Sequence, residues 1–193
     1  SDNTFIGDNA GGANTTPSNN TAVGSSALLA NTTGAQNVAL GTFALDASTT
    51  ASENTAVGYN ALTANTTGED NVAFGSQSLA AATTASNNTA VGRLTLTANT
   101  TGAENVAVGR SALENNTTAS NNTAIGRDAL NDNTTGDSNT AVGQASLALN
   151  TTASNNTAVG QYSLLYNTTG ASNVAIGTNA LVANTTADTN VAI

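Results

Sequence analysis

The chain is predicted to be all-β, a parallel β-solenoid (β-roll) of eleven 17-residue coils, and three features of its sequence lead to this fold class. Glycine recurs every 17 residues from Gly7 to Gly177 without a break, and a fixed period of this length is typical of stacked repeat architectures. Valine, isoleucine and leucine keep fixed columns within the repeat. Asn-Thr-Thr runs, which favour turns, separate the apolar segments.

The repeats form one array over residues 1–193, and the asparagine of each Asn-x-Ala-apolar-Gly segment is taken as position 1. Coils begin at Asn3, Asn20, Asn37, Asn54, Asn71, Asn88, Asn105, Asn122, Asn139, Asn156 and Asn173, and a partial coil covers 190–193. Because this twelfth copy stops one residue before its expected glycine, we interpret the chain as an excerpt of a longer protein.

The apolar columns at positions 4 and 9 are predicted to form the core. Two large apolar residues per coil cannot close a core within one repeat, but stacked coils join them into two continuous columns. Position 3 is alanine in every coil except the first, which has Phe5. This small column indicates a close contact, either with the opposite wall of a thin roll or with a neighbouring chain.

Each coil is expected to contain two short strands and two corners. The glycine at position 5 is expected to leave the first strand with a positive φ, or to lie where no Cβ fits. The Asn-Thr-Thr-[Gly/Ala] run at positions 12–15 forms the second corner. The invariant asparagine at position 1 predicts a ladder of amide hydrogen bonds. Parallel coils lie ~4.8 Å apart, so the array forms a rod on the order of 50 Å long.

Two other geometries fit the pattern. Position 15 alternates between glycine and alanine, as in Gly34 and Ala51, so the coil could instead contain 34 residues and four strands. The Gly-x-x-Ala-Leu-x-x-Asn segment could also form a short helical turn, which would give a mixed strand and helix solenoid.

The repeat motif resembles that of known fibre proteins. The segments 20–24 (Asn-Thr-Ala-Val-Gly) and 173–177 (Asn-Val-Ala-Ile-Gly) resemble short repeats in the head domains of trimeric autotransporter adhesins. The whole repeat is similar to the N-T-A-φ-G-x-x-A-L-x-x-N-T-T-G repeats of bacterial and phage tail-fibre-like proteins. This resemblance covers essentially the whole chain. It implies a parallel β-roll, assembled as a homotrimer, in a fibre displayed on a cell surface or virion.

Composition argues against several classes of function. Charged residues make up 8% of the chain and the net charge is −9, with three basic residues in all. These are too few for binding to nucleic acid, and no apolar run is long enough to insert into a membrane. Without histidine or cysteine, we expect no enzymatic activity, no catalytic residues, no metal site and no cofactor.

One charged column is a candidate ligand contact. The basic residues occupy position 6 of three consecutive coils: Arg93, Arg110 and Arg127. Stacking places them in one stripe, about one coil spacing apart. The stripe suits a small anion or an acidic glycan, because guanidinium groups bind carboxylates well. Alternatively, it is a solvated column neutralised by acids such as Glu104, Glu114 and Asp128, or by pairs between chains in an oligomer.

The Asn-Thr-Thr corners also contain sequons for N-glycosylation. Their asparagines are Asn14, Asn31, Asn65, Asn99, Asn116, Asn133, Asn150, Asn167 and Asn184. Sugars there would line one edge of the rod. The alternative explanation is that Asn-Thr-Thr provides good turn chemistry and nothing more.

The sequence therefore predicts a structural shaft or head segment of an extracellular or virion fibre that mediates adhesion or host attachment. Its expected partners are copies of itself and a cell-surface glycan or receptor. One alternative is a self-assembling extracellular filament. Another is an ice-binding solenoid, suggested by the threonine columns at positions 13 and 14, although adjacent threonines would leave only one column facing outward.

Overall fold

The computed structural model describes residues 2–193, which form one parallel sheet of twelve strands stacked in sequence order. The strands are β1 Thr4–Ile6, β2 Thr21–Val23, β3 Val38–Leu40, β4 Thr55–Val57, β5 Val72–Phe74, β6 Thr89–Val91, β7 Val106–Val108, β8 Thr123–Ile125, β9 Thr140–Val142, β10 Thr157–Val159, β11 Val174–Ile176 and β12 Val191–Ala192. Residues 17 apart are paired between neighbouring strands, as Thr21 is with Val38. The 17-residue coil is thus confirmed, and this pairing excludes the 34-residue coil.

Each coil contains one strand, so the prediction of two strands per coil is wrong. Positions 6–11 form turns, because residues at positions 7 and 9 adopt positive φ angles that interrupt an extended strand. Leu94 (φ 61°) and Leu96 (φ 50°) are examples. Backbone hydrogen bonds between coils continue along positions 6–11, where the Leu96 N–H donates to the Ala112 carbonyl at 3.1 Å. Residues 2–193 contain no helix, so the mixed strand and helix solenoid is also wrong.

The core is a narrow stack built from positions 3, 8 and 9. Ala107, Ala112 and Leu113, which hold these positions in one coil, are fully buried. The alanine and leucine columns belong to one cluster, so the small column at position 3 faces the opposite wall of the same roll. The prediction that position 4 forms a second core column is wrong. Strand residues alternate in direction, and with position 3 pointing inward, position 4 lies outside.

Two buried asparagine ladders connect the coils. At position 1, Asn105 Oδ1 accepts from the Asn122 backbone N–H at 3.0 Å, and its Nδ2 donates across the coil to the Ala119 carbonyl at 2.9 Å. At position 12, Asn116 Nδ2 donates to Asn99 Oδ1 at 2.9 Å and to the same Ala119 carbonyl at 3.0 Å. The predicted ladder is confirmed, and a second one, which was not predicted, runs along position 12.

Candidate functional site

The outer side of the sheet, called here the sheet face, carries the side chains at positions 2 and 4 of every coil. Position 2 is threonine or valine, and position 4 is valine, isoleucine, leucine or phenylalanine. Its most exposed large residues are spread along the stack: Ile6, Val72, Phe74, Val106, Ile125, Ile176, Val191 and Ile193. Phe74 is 54% exposed. Position 4 is apolar and at least partly exposed in every coil, and an apolar column of this kind is typical of an interaction surface.

The sheet face is apolar because the interior of the roll has room only for small side chains and one leucine per coil. The interior holds alanine at position 3, such as Ala73, and one leucine per coil, such as Leu79. The roll is too thin to enclose a second large residue, so the position 4 side chains remain outside. Apolar residues are normally the most buried ones, and here the β-branched and aromatic residues of each strand are the less buried ones.

The arginine stripe lies at one edge of the sheet face, which we call the basic edge. Arg93, Arg110 and Arg127 follow strands β6, β7 and β8, and all three are exposed. Arg127 Nε lies 3.4 Å from Asp128 Oδ2, and this is the only salt bridge within residues 2–193. Neutralisation by Glu104 or Glu114 within the chain is therefore not observed.

The opposite edge of the sheet face carries acids at positions 16 and 17, just before each strand, and we call it the acidic edge. Seven of the twelve acids lie there: Asp2, Glu53, Glu69, Asp70, Glu104, Asp137 and Asp188. All of them are exposed. This acidic edge was not predicted. A count of charge in each column of the repeat would have found the edge.

Two aromatic residues that look scattered in the sequence meet at the same edge of the sheet face, two coils before the arginine stripe begins. The rings of Phe43 and Tyr59 pack edge to face, with centroids 6.4 Å apart. They occupy positions 7 and 6 of neighbouring coils, and both remain partly exposed.

The sequon asparagines form the ladder at position 12. Seven of the nine are fully buried: Asn31, Asn65, Asn99, Asn116, Asn133, Asn150 and Asn167. Asn14 and Asn184 are half-buried. The nitrogen that would carry a sugar is a donor within the fold, as in Asn167, whose Nδ2 donates to Asn150 Oδ1 at 3.1 Å and to the Gly170 carbonyl at 2.8 Å. The geometry favours the structural explanation of Asn-Thr-Thr.

The threonine corner offers a single outward column, as adjacent threonines imply. Position 13 hydroxyls bond between coils, as Thr117 Oγ1 does to the Thr134 carbonyl at 3.0 Å. Position 14 side chains, such as Thr118, are exposed. One exposed row at a corner lacks the flat, two-dimensional array on which the ice-binding hypothesis depends.

Residues 2–193 contain no pocket, no cluster of three or more metal-ligating side chains and no helix that could cross a membrane. The surfaces described above are thus the candidate sites for interaction in this part of the chain. Comparisons of the chain with family models, with curated proteins and with solved structures give no match.

Proposed function

We propose that this chain is a stiff segment of an extracellular or virion-displayed fibre, assembled as a homotrimer through its sheet face. Its role is mechanical: it holds an attachment region away from the surface and contributes to adhesion. The observation that carries the proposal is the sheet face, whose apolar column at position 4 runs the length of the rod.

Covering the sheet face is favourable because it removes apolar surface from water. The gain is about 25 cal/mol for each Å² of apolar surface that is buried. Position 4, which includes Phe74 and Ile125, is apolar in every coil, so a copy of the chain lying along the whole face buries one apolar contact per coil. Association along the full length also stiffens the rod.

The repeat motif and the composition support a fibre. The Asn-x-Ala-apolar-Gly repeat resembles that of surface-displayed and virion-displayed fibres, and small polar residues with 8% charge suit a long spacer outside the cell. Weak contacts with a cell-surface glycan or receptor, repeated along such a rod, would act through avidity.

The mass of residues 1–193 in solution, measured by sedimentation equilibrium, tests this proposal. We expect a homotrimer for the native chain and a monomer for the variant Phe74→Lys/Ile125→Lys, in which both substitutions lie on the exposed sheet face. The matched control is Thr67→Lys/Thr118→Lys at the exposed Asn-Thr-Thr corner, which should remain a trimer.

The other outcomes each favour a different function. A monodisperse native monomer overturns the homotrimer. An open-ended polymer favours the self-assembling filament, and thermal hysteresis from a monomer favours the ice-binding solenoid.

A further inference from the structure

We propose that copies of this chain associate in the same direction and at the same level, with the basic edge of each sheet face against the acidic edge of the next. This inference rests on the self-association proposed above and specifies its geometry. The partner is a second copy of the chain, and the contact is a set of ion pairs between chains that flank the apolar sheet face.

The two edges are separated within one chain. Glu104 precedes β7 and Arg110 follows it, and both side chains are exposed. The three residues of β7 that separate the two edges span about 10 Å, which is beyond the screening length of about 8 Å at physiological salt. Arg110 forms no salt bridge within residues 2–193, so its exposed guanidinium group is available to a carboxylate of another chain.

The charges of the basic edge and the acidic edge lie at corresponding heights along the stack of coils. Arg110 and Glu104 flank the same strand, β7. Arg93, after β6, lies one coil from Glu104 on one side and one coil from Asp70, before β5, on the other. One coil corresponds to ~4.8 Å, a distance that a flexible arginine side chain can span.

Arg127 lies in the same column, and its Nε is also 3.4 Å from Asp128 Oδ2 of its own chain. It follows β8 and lies one coil from both Glu104, before β7, and Asp137, before β9. Every arginine of the basic edge is therefore at the level of an acid of the opposite edge, or within one coil of it.

The symmetry of a closed ring requires that charges which pair between chains lie at the same height along the stack. In a closed ring about an axis parallel to the stack, each chain contacts the next through two different edges, which is a heterologous contact. Closure allows no shift along the axis, so equal levels must meet. Arg110 and Glu104 satisfy this condition directly, and Arg93 and Arg127 satisfy it when their side chains reach across one coil.

The opposite direction of association is unfavourable. If two sheet faces meet with their chains antiparallel, the basic edge of one lies against the basic edge of the other. With complete overlap, β7 faces β6, so Arg110 approaches the partner's Arg93. Juxtaposed like charges oppose association, and the acidic edges meet with the same result.

Charge reversal tests the contact. We expect Arg110→Glu and Glu104→Arg each to raise the dissociation constant of the oligomer by about tenfold or more, because each places like charges together. The double variant Arg110→Glu/Glu104→Arg restores the pair between chains and should return the constant to near the native value. Asp46→Arg, a reversal at position 10 away from both edges, is the control and should leave association unchanged.

Cysteine crosslinking tests direction, because the chain has no cysteine of its own. Glu104→Cys/Arg110→Cys should form disulfide-linked oligomers of up to three chains under mild oxidation, whereas Arg110→Cys alone should remain unlinked. Rapid linkage between an Arg93→Cys chain and an Arg110→Cys chain, mixed in equal amounts, would show antiparallel association and overturn the proposal.

The inference and the proposed function can fail separately. A native oligomer whose dissociation constant is unchanged by both single reversals keeps the fibre proposal and overturns the contact between edges. A native monomer overturns both.

Discussion

The ring of Phe5 occupies the space that a side chain at Gly11 would need. A Cβ added to Gly11 would lie 2.7 Å from Phe5 Cε1. In the other ten coils position 3 is alanine and position 9 is leucine, so the first coil exchanges the large and the small residue across the core. This exchange of a large and a small residue between the two walls preserves the volume of the core at this end.

This exchange predicts a strong coupling between the two sites. Gly11→Leu alone should destabilise the first coil by about 1–3 kcal/mol through overpacking, and Phe5→Ala alone should destabilise it by leaving a cavity. The double variant recreates the pair found in the other coils and should be more stable than either single variant. Hydrogen exchange of the β1 and β2 amides provides the measurement, and additive effects would contradict the packing relationship.

Two leucines with the same backbone conformation differ in their burial. Leu94 (φ 61°) and Leu96 (φ 50°) both adopt the left-handed region, but only Leu96 is fully buried. Leu96→Ala should destabilise the protein by about 2–5 kcal/mol, and Leu94→Ala, the matched control, by under ~1 kcal/mol. Urea unfolding of the two variants decides the point, and equal shifts would show that burial in the leucine column is not the main contribution.

The period, the parallel stack and the glycine corner were predictable because each follows from residues that recur at one spacing. The absence of a second strand was not predictable, because the sequence around Leu94 and Leu96 does not reveal the positive φ angles of these two residues. Leucine rarely adopts this conformation, and here the bonds between coils and the packing of Leu96 in the core override its local preference.

The candidate site was predictable in part. The column of arginines was visible in the sequence, but the inward direction of Ala107 and the outward direction of Val108 were not. A strand with large residues at positions 2 and 4 suggests that these two positions form the core. Only the thinness of the roll, which has room for Leu113 and small residues, places them outside and creates the sheet face.

The glycine corner contains two constraints that a pair of variants can separate. Gly109 (φ 122°) and Gly177 (φ 123°) share a conformation, but a Cβ on Gly109 would lie 2.7 Å from the carbonyl carbon of Gly126, whereas one on Gly177 would meet no atom within 4 Å. Gly177→Ala therefore measures the backbone strain alone, on the order of 1–3 kcal/mol. Gly109→Ala should be more destabilising in urea unfolding, and equal losses would show that the close approach of the coils contributes nothing.

The last prediction concerns the ladder at position 1. Asn105 is fully buried, and its Nδ2 donates to Asn88 Oδ1 at 3.1 Å and to the Ala119 carbonyl at 2.9 Å. Asn105→Asp keeps the shape but replaces this donor with an oxygen that faces two acceptors. The loss of stability at neutral pH should exceed the roughly 1–3 kcal/mol of one unsatisfied buried group, because a charge is buried as well.

The pH dependence of this variant identifies the cause. Burial disfavours the charged carboxylate and raises its pKa in the folded state above the unfolded value of about 3.9. The variant should therefore be closest to the native stability below that pH, where the neutral acid can donate one hydrogen bond. It should lose stability as the pH rises through the raised pKa. Asn121→Asp, at an exposed position 17 where Asp70 stands in another coil, is the control. If urea unfolding from pH 3 to 8 gives parallel curves for the two variants, the amide donor of Asn105 does not support the stack.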